Sequence, residues 1–231
     1  MTPGTFDTVT SIDSTRGAED GTMPTIGTRP TIAQGFADYM KLLSGTLQQL
    51  DNEQLAAIVE LLLEAQRQGR KVLTMGNGGH GSTAAHIIND LAKHTISNDS
   101  KTEVVSHQRF KTLCLNDSVS FLTAVANDMG YEHVFSEQVK NWCEAGDVLI
   151  GISGSGNSQN ILNAFEAARS LGATTVCLSG KGGGKAKEVA DICVVVPSWK
   201  MVHVEDVHLA ICHAIADELK KAIQSRSDIS G

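Results

Sequence analysis

Apolar residues recur at helical spacing from Ile32 to Gln68, at Phe36, Met40, Leu43, Leu47 and Leu50 and then at Leu55, Ile58, Val59, Leu62 and Leu63. The spacing predicts two helices broken near Asp51. Beyond them the pattern changes to short apolar runs, Lys71 to Met75, Thr112 to Leu115, Val148 to Ile152, Thr174 to Leu178 and Ile192 to Val196, alternating with helical segments. Alternation of this kind belongs to a parallel sheet covered by helices on both faces. A last amphipathic segment, from about Val204 to Ile223, closes the series. The predicted fold class is α/β, a doubly wound five-stranded parallel sheet, in which ligands sit beyond the carboxyl ends of the strands. Residues 1–30 hold three of the four prolines among Thr, Gly, Ser and Asp without periodicity. They are expected to form a disordered tail, leaving one domain with an N-terminal helical pair over 31–225 and a short tail over 226–231.

Composition narrows the function. The 231 residues are 41% hydrophobic and 19% charged, as in ordinary soluble domains, and no apolar run approaches the ~18 residues needed to span a bilayer. The formal net charge of -7 argues against a nucleic-acid partner, and the lysines between Lys181 and Lys187 read as a solvated loop. Cys114, Cys143, Cys177, Cys193 and Cys212 contain no C-x-x-C pair and mostly lie in apolar runs, which is core usage in a reducing compartment. The first residues lack a basic-then-apolar signal pattern. The expected localisation is cytoplasmic.

Candidate chemistry gathers at the predicted strand ends. Gly151-Ile152-Ser153-Gly154-Ser155-Gly156-Asn157-Ser158 follows an apolar run and precedes a helical segment from Asn160 to Arg169. Three hydroxyls and glycine-freed N–H groups at a helix start suit a phosphate, the alternative being an ordinary small-residue turn. Gly76-Asn77-Gly78-Gly79-His80-Gly81 matches G-x-G-x-x-G, so a dinucleotide site must be weighed. It is disfavoured, because Asp99 and Glu103 lie in a polar stretch rather than at the end of a second strand. His86 and Asp90 stand one turn apart on the segment from about Ser82 to His94, among Ala84, Ala85, Ile87, Ile88 and Leu91. Glu205, His208 and His213 punctuate the last apolar helix. These histidines satisfy buried groups, or they join His86 and Asp90 in an O,N-rich set suited to zinc or acid–base work.

Taken in order, the Gly-Asn-Gly-Gly loop, Asn127-Asp128-x-Gly130-Tyr131, Gly146 to Ser158 and the terminal histidine-bearing helix resemble the sugar isomerase (SIS) family over about Ile32 to Gln224. Within that family the likeness is to the branch that isomerises heptose phosphates. The resemblance implies a flavodoxin-like core, a homotetramer with active sites between subunits, and conversion of sedoheptulose 7-phosphate, or a related seven- or eight-carbon ketose phosphate, to the aldose through an enediol. It places substrate binding on Asn77, Gly78 and Gly79, on Asp117 and Ser118, on Ser153, Gly154, Ser155 and Ser158, and on Glu205. It implies a divalent metal, zinc, held by His86, Asp90, Glu205 and His213, with Asp90 as base and His213 as acid. The chain departs from the family's pattern at Asp90 (usually Glu), Glu205 (usually Gln) and His80 (usually Ser). A non-catalytic SIS protein, a sugar-phosphate sensor or an assembly factor of the replication-initiator-binding type, is the alternative; four retained metal positions speak against it.

Overall fold

The computed structural model describes residues 31–96 and 108–227. The expected tail at 1–30, residues 228–231 of the tail expected at 226–231, and Asp99 and Glu103 lie outside the described residues, while residues 226 and 227 belong to the last helix. Helices α1 (Ile32–Leu47) and α2 (Asn52–Arg67) break where the spacing predicts, and the reason is a cap. Asp51 Oδ1 accepts the backbone N–H groups of Glu53 and Gln54 at 3.0 and 3.2 Å, satisfying donors that the first turn of α2 leaves free.

Five strands follow: β1 (Lys71–Gly76), β2 (Lys111–Cys114), β3 (Val148–Ser153), β4 (Thr174–Ser179) and β5 (Ile192–Val195). They form one parallel sheet in the order β2-β1-β3-β4-β5. Between them run α3 (Gly79–Lys93), α4 (Val119–Asp128), α5 (Ser136–Trp142), α6 (Gln159–Ser170) and the short α7 (Ala186–Val189), and α8 (Met201–Ser227) ends the described chain. Side chains alternate across each strand, so the sheet divides two cores. Val72, Val148, Ile150 and Val176 pack with α2, α3 and α8, while Leu73, Met75, Leu149 and Cys177 pack with α4, α5 and α6. Four of the cysteines are buried and all five are free, in keeping with core usage. Among the described residues, no helix is long and apolar enough to cross a membrane.

Two helices begin earlier than periodicity predicts: α3 at Gly79 rather than Ser82, and α8 at Met201 rather than Val204. Glycine carries no apolar signal, yet here it is demanded by contact. A Cβ on Gly76 would meet the His80 carbonyl oxygen at 2.4 Å, and one on Gly81 would lie 2.9 Å from Asn116 Nδ2. The first turn of α3 is thus pressed onto the ends of β1 and β2. Buried Asp147 ties the opposite, amino-terminal ends of β1 and β3, accepting the N–H groups of Lys71 and Glu144, both at 2.8 Å, with Lys71 Nζ 3.1 Å away.

Gly151 lets the fully buried Phe165 ring lie against the middle of β3, where a Cβ would approach Phe165 Cζ to 2.5 Å and Met75 Cε to 3.1 Å. Gly151→Ala is expected to lower stability by about 1–3 kcal/mol through overpacking. Urea unfolding followed by circular dichroism reads this as a lower midpoint with unchanged slope.

Candidate active site

The first loop of the site is held from both sides. Asn77 and Asn160 exchange amide hydrogen bonds, Asn77 Nδ2 donating to Asn160 Oδ1 at 2.9 Å and Asn160 Nδ2 to Asn77 Oδ1 at 2.8 Å. The Tyr131 hydroxyl donates to the same Asn77 oxygen at 2.9 Å. Asn160 is buried in the first turn of α6, so this pair ties the β1–α3 loop to the β3–α6 loop. The side chain of Asn77 is consumed in positioning, and what the loop presents outward comes from Gly78, at φ 56, and Gly79. Asn116 locks the strand beneath, accepting from the Gly76 N–H at 3.1 Å and donating to the Gly76 carbonyl at 2.8 Å. Sequence reasoning assigned no role to Asn160, Tyr131 or Asn116, because partners 83, 54 and 40 residues away leave no periodic signal.

The second loop runs from Ser153, buried at the end of β3, to Ser158 at the N-cap of α6. Ser158 makes no capping bond to its own helix, and its Oγ is 3.5 Å from that of Ser153. Ser155 Oγ accepts the Asn157 N–H at 3.2 Å. Gly156 adopts φ +64, and a Cβ there would lie 1.9 Å from the Gly183 carbonyl oxygen, so the glycine-rich stretch after β4 packs directly behind the loop. Hydrogen bonds from Ala186 N–H to Gly156 O at 2.9 Å and from Lys185 N–H to Asn157 Oδ1 at 3.1 Å fasten it. The result is a hydrogen-bonded turn with hydroxyls at a helix start, an arrangement suited to an anion. Asp117 and Ser118 are exposed and border a different depression of about 550 Å³ with Leu113, Phe121, Gln138 and Trp142, beside the edge strand β2.

Helices α3 and α8 bring the ionisable groups together. His86 Nε2 is 2.8 Å from His213 Nε2 and 3.3 Å from Asp90 Oδ2, and His213 Nε2 is 3.9 Å from the same oxygen. Their ligand-capable atoms all lie within 4.8 Å of one another. The two histidine side chains are 42% and 54% exposed, whereas Asp90 is 15% exposed and its Oδ2 is buried without a hydrogen-bond partner. An unpartnered carboxylate oxygen facing two imidazole nitrogens fits a divalent cation, and two N ligands with one O ligand suit zinc or a related ion with a position left open.

Glu205 does not join this group within the protomer. It precedes His213 by eight residues, about 12 Å of helical rise, and its carboxylate faces Gly79, whose Cβ would lie 3.3 Å from Oε1. The expected four-residue set is therefore three residues within the protomer, with Glu205 beside the β1–α3 loop.

The histidines of α8 divide between the two readings. Buried His208 donates Nε2–H to the Ser179 carbonyl at 3.1 Å and stacks obliquely on His80, centroids 5.2 Å apart. Burial pushes the His208 pKa down to about 4, opposed by the Ser179 carbonyl and reinforced by His80. Burial likewise lowers that of His80, against the opposing pull of the Glu205 carboxylate.

The SIS domain sequence model matches residues 35–180, more than half of the chain. The chain belongs to the SIS domain family. Phosphoheptose isomerases of Akkermansia muciniphila and Helicobacter pylori are relatives within reach of it, the first 38% identical over 189 residues, which cover 82% of this chain and 93% of that protein. The second is 37% identical over 190 residues, covering 82% and 94%. The solved structure of phosphoheptose isomerase GmhA from Neisseria gonorrhoeae superposes with a TM-score of 0.72 at 30% identity, covering 82% of this chain and 97% of that one. The SIS fold expected from the strand pattern and the resemblance is thus the fold observed.

Two outcomes follow for this SIS domain. Asn160→Leu, similar in volume but unable to pair with Asn77, is expected to cost about 1–3 kcal/mol in urea unfolding, because it strands a polar partner. The second concerns pH. A histidine at about 4 in the native state and ~6.5 when unfolded lets the unfolded chain bind a proton that the native chain refuses, so stability falls as pH drops from 6.5 towards 4. Up to about 3 kcal/mol of that slope is expected to vanish in His208→Gln, measured by denaturation across the window.

Proposed function

We propose that the protein is an aldose–ketose isomerase acting on a sugar phosphate, with sedoheptulose 7-phosphate, or a related seven- or eight-carbon ketose phosphate, as substrate. The observation that carries this reading is the arrangement along α3. The serine loop abuts its first turn, and the His86, Asp90 and His213 cluster lies further along the helix. From His80 to His86 the helix rises about 9 Å, the scale of an extended seven-carbon backbone rather than of a triose. The relatives' names supply the same substrate class.

In this reading Ser153, Ser155 and Ser158 seat the phosphate, and Gly78 and Gly79 hold the sugar close to the backbone. The carbonyl end then reaches the cluster. Asp90 takes the proton from the carbon beside the carbonyl, and His213 protonates the developing oxyanion, giving an enediol; Asp90 then returns the proton to the neighbouring carbon while His213 recovers a proton from the other hydroxyl, which becomes the aldose carbonyl. A divalent ion held by His86 and Asp90, and by His213 once its proton has been given, would polarise the carbonyl and offset the negative charge that develops on its oxygen. A carboxylate has two oxygens, so Asp90 Oδ2 can face the histidines while the other serves as base. Aspartate is one methylene shorter than glutamate, which requires the reacting carbon to approach α3 closely.

The cluster is half exposed in the protomer, whereas proton transfer from carbon benefits from exclusion of water. We infer that a homotetramer covers it. Exposed Ile32, Phe36 and Met40 recur every fourth residue on α1 and give an apolar stripe for a neighbouring subunit.

The test is turnover of sedoheptulose 7-phosphate by purified protein supplied with zinc, together with metal analysis. Asp90→Asn and His213→Ala are each expected to lower kcat about 10²–10⁴-fold with unchanged thermal unfolding. Absence of turnover across a panel of seven- and eight-carbon ketose phosphates would sink the assignment and favour a non-catalytic sugar-phosphate binder.

A further inference from the structure

His80 takes no part in the proton transfers above, yet its position is unusual. It is 7% exposed, and its Nε2 is buried without a hydrogen-bond partner. A Cβ built on Gly154 would lie 2.9 Å from His80 Cε1 and 3.1 Å from Nε2, so this edge of the ring stands against the middle of the serine loop. The same point is 2.5 Å from Met201 Sδ. The space shared by ring edge and loop is therefore occupied by an unbranched, readily rotated thioether rather than by a hydrogen-bond acceptor. His203 and His208 Nδ1 are likewise buried without partners, His208 spending only its Nε2 on the Ser179 carbonyl, so what marks His80 among the buried histidines is that its open nitrogen stands against the serine loop.

We propose that His80 is a phosphate-binding residue, donating Nε2–H to a phosphoryl oxygen of the ligand seated on the Ser153 to Ser158 loop, and that Met201 swings aside to admit it. The inference rests on the reading of that loop as the phosphate seat. A phosphoryl oxygen only accepts, so binding selects the Nε2–H tautomer of a neutral ring. His208 backs the ring from a fixed position, its own Nε2–H spent on Ser179, and holds the imidazole edge towards the loop.

The experiment titrates the full-length, ¹⁵N-labelled chain with inorganic phosphate and then with sedoheptulose 7-phosphate, following loop amides and imidazole nitrogens by NMR. The His80 Nε2 resonance is expected to move in step with the amides of Ser155 to Gln159. His80→Leu, which keeps the volume and removes the donor, is expected to weaken both ligands about tenfold, and His80→Gln, which restores an N–H, to recover most of the loss. Met201→Ala is expected to bind at least as tightly as the native chain; tenfold weaker binding would overturn the displacement of Met201. Loop amides that shift and saturate while His80 Nε2 stays still, or native affinity in His80→Leu, would overturn the role of His80. Loop amides unmoved by either ligand would instead remove the phosphate seat itself, and the inference with it. Should His80→Leu fail to fold, the imidazole shift in the native chain decides alone.

Discussion

The packing of α3 along α8 is the contact on which the candidate chemistry depends. Ile87 and Leu91 from one helix and Val207, Ile211 and Ile215 from the other are buried in a single core. Gly79 lies by Glu205 and His86 by His213, so the helices run in the same direction. That follows from the sheet, because each helix leaves the carboxyl end of a parallel strand and returns across the same face. A slip of one turn, about 5.4 Å, would part His86 from His213 and Glu205 from Gly79 together. Apolar interdigitation thus sets the register that the polar groups need.

The same helix pair provides two electrostatic environments. At its N-terminal end His80 and His208 are buried, and desolvation keeps them neutral near pH 7. Two turns further on, His86 and His213 stand half in solvent around the unpartnered oxygen of Asp90. A neutral donor suits an anion seat, whereas exposed imidazoles beside a carboxylate suit a cation and proton transfer. The reciprocal side-chain amide pair of Asn77 and Asn160 keeps the β1–α3 and β3–α6 loops at a fixed spacing.

Much of this was legible in the chain. All five strands fall within a residue or so of their apolar runs, the helical break at Asp51 is where its cap lies, and His86 with Asp90 form one face because i and i+4 residues always do. The starts of α3 and α8 were misplaced because the residues there, Gly79 to Gly81 and Met201 to His203, are chosen by contact with other elements. The resemblance groups Glu205 with His213, and within the protomer eight residues of helical rise separate them.

The sequence by itself determined the α/β class, the strand limits, the glycine-serine turn and the spacing of ionisable groups along each helix, because all of these are local and periodic. Only the tertiary structure decided that His213 meets His86 across 127 residues while His208 turns inward to Ser179, that Glu205 faces Gly79, and that His80 stands unpartnered against Gly154. Those outcomes depend on the relative axial position of two helices, which is a sum over many apolar contacts and is written in no single motif.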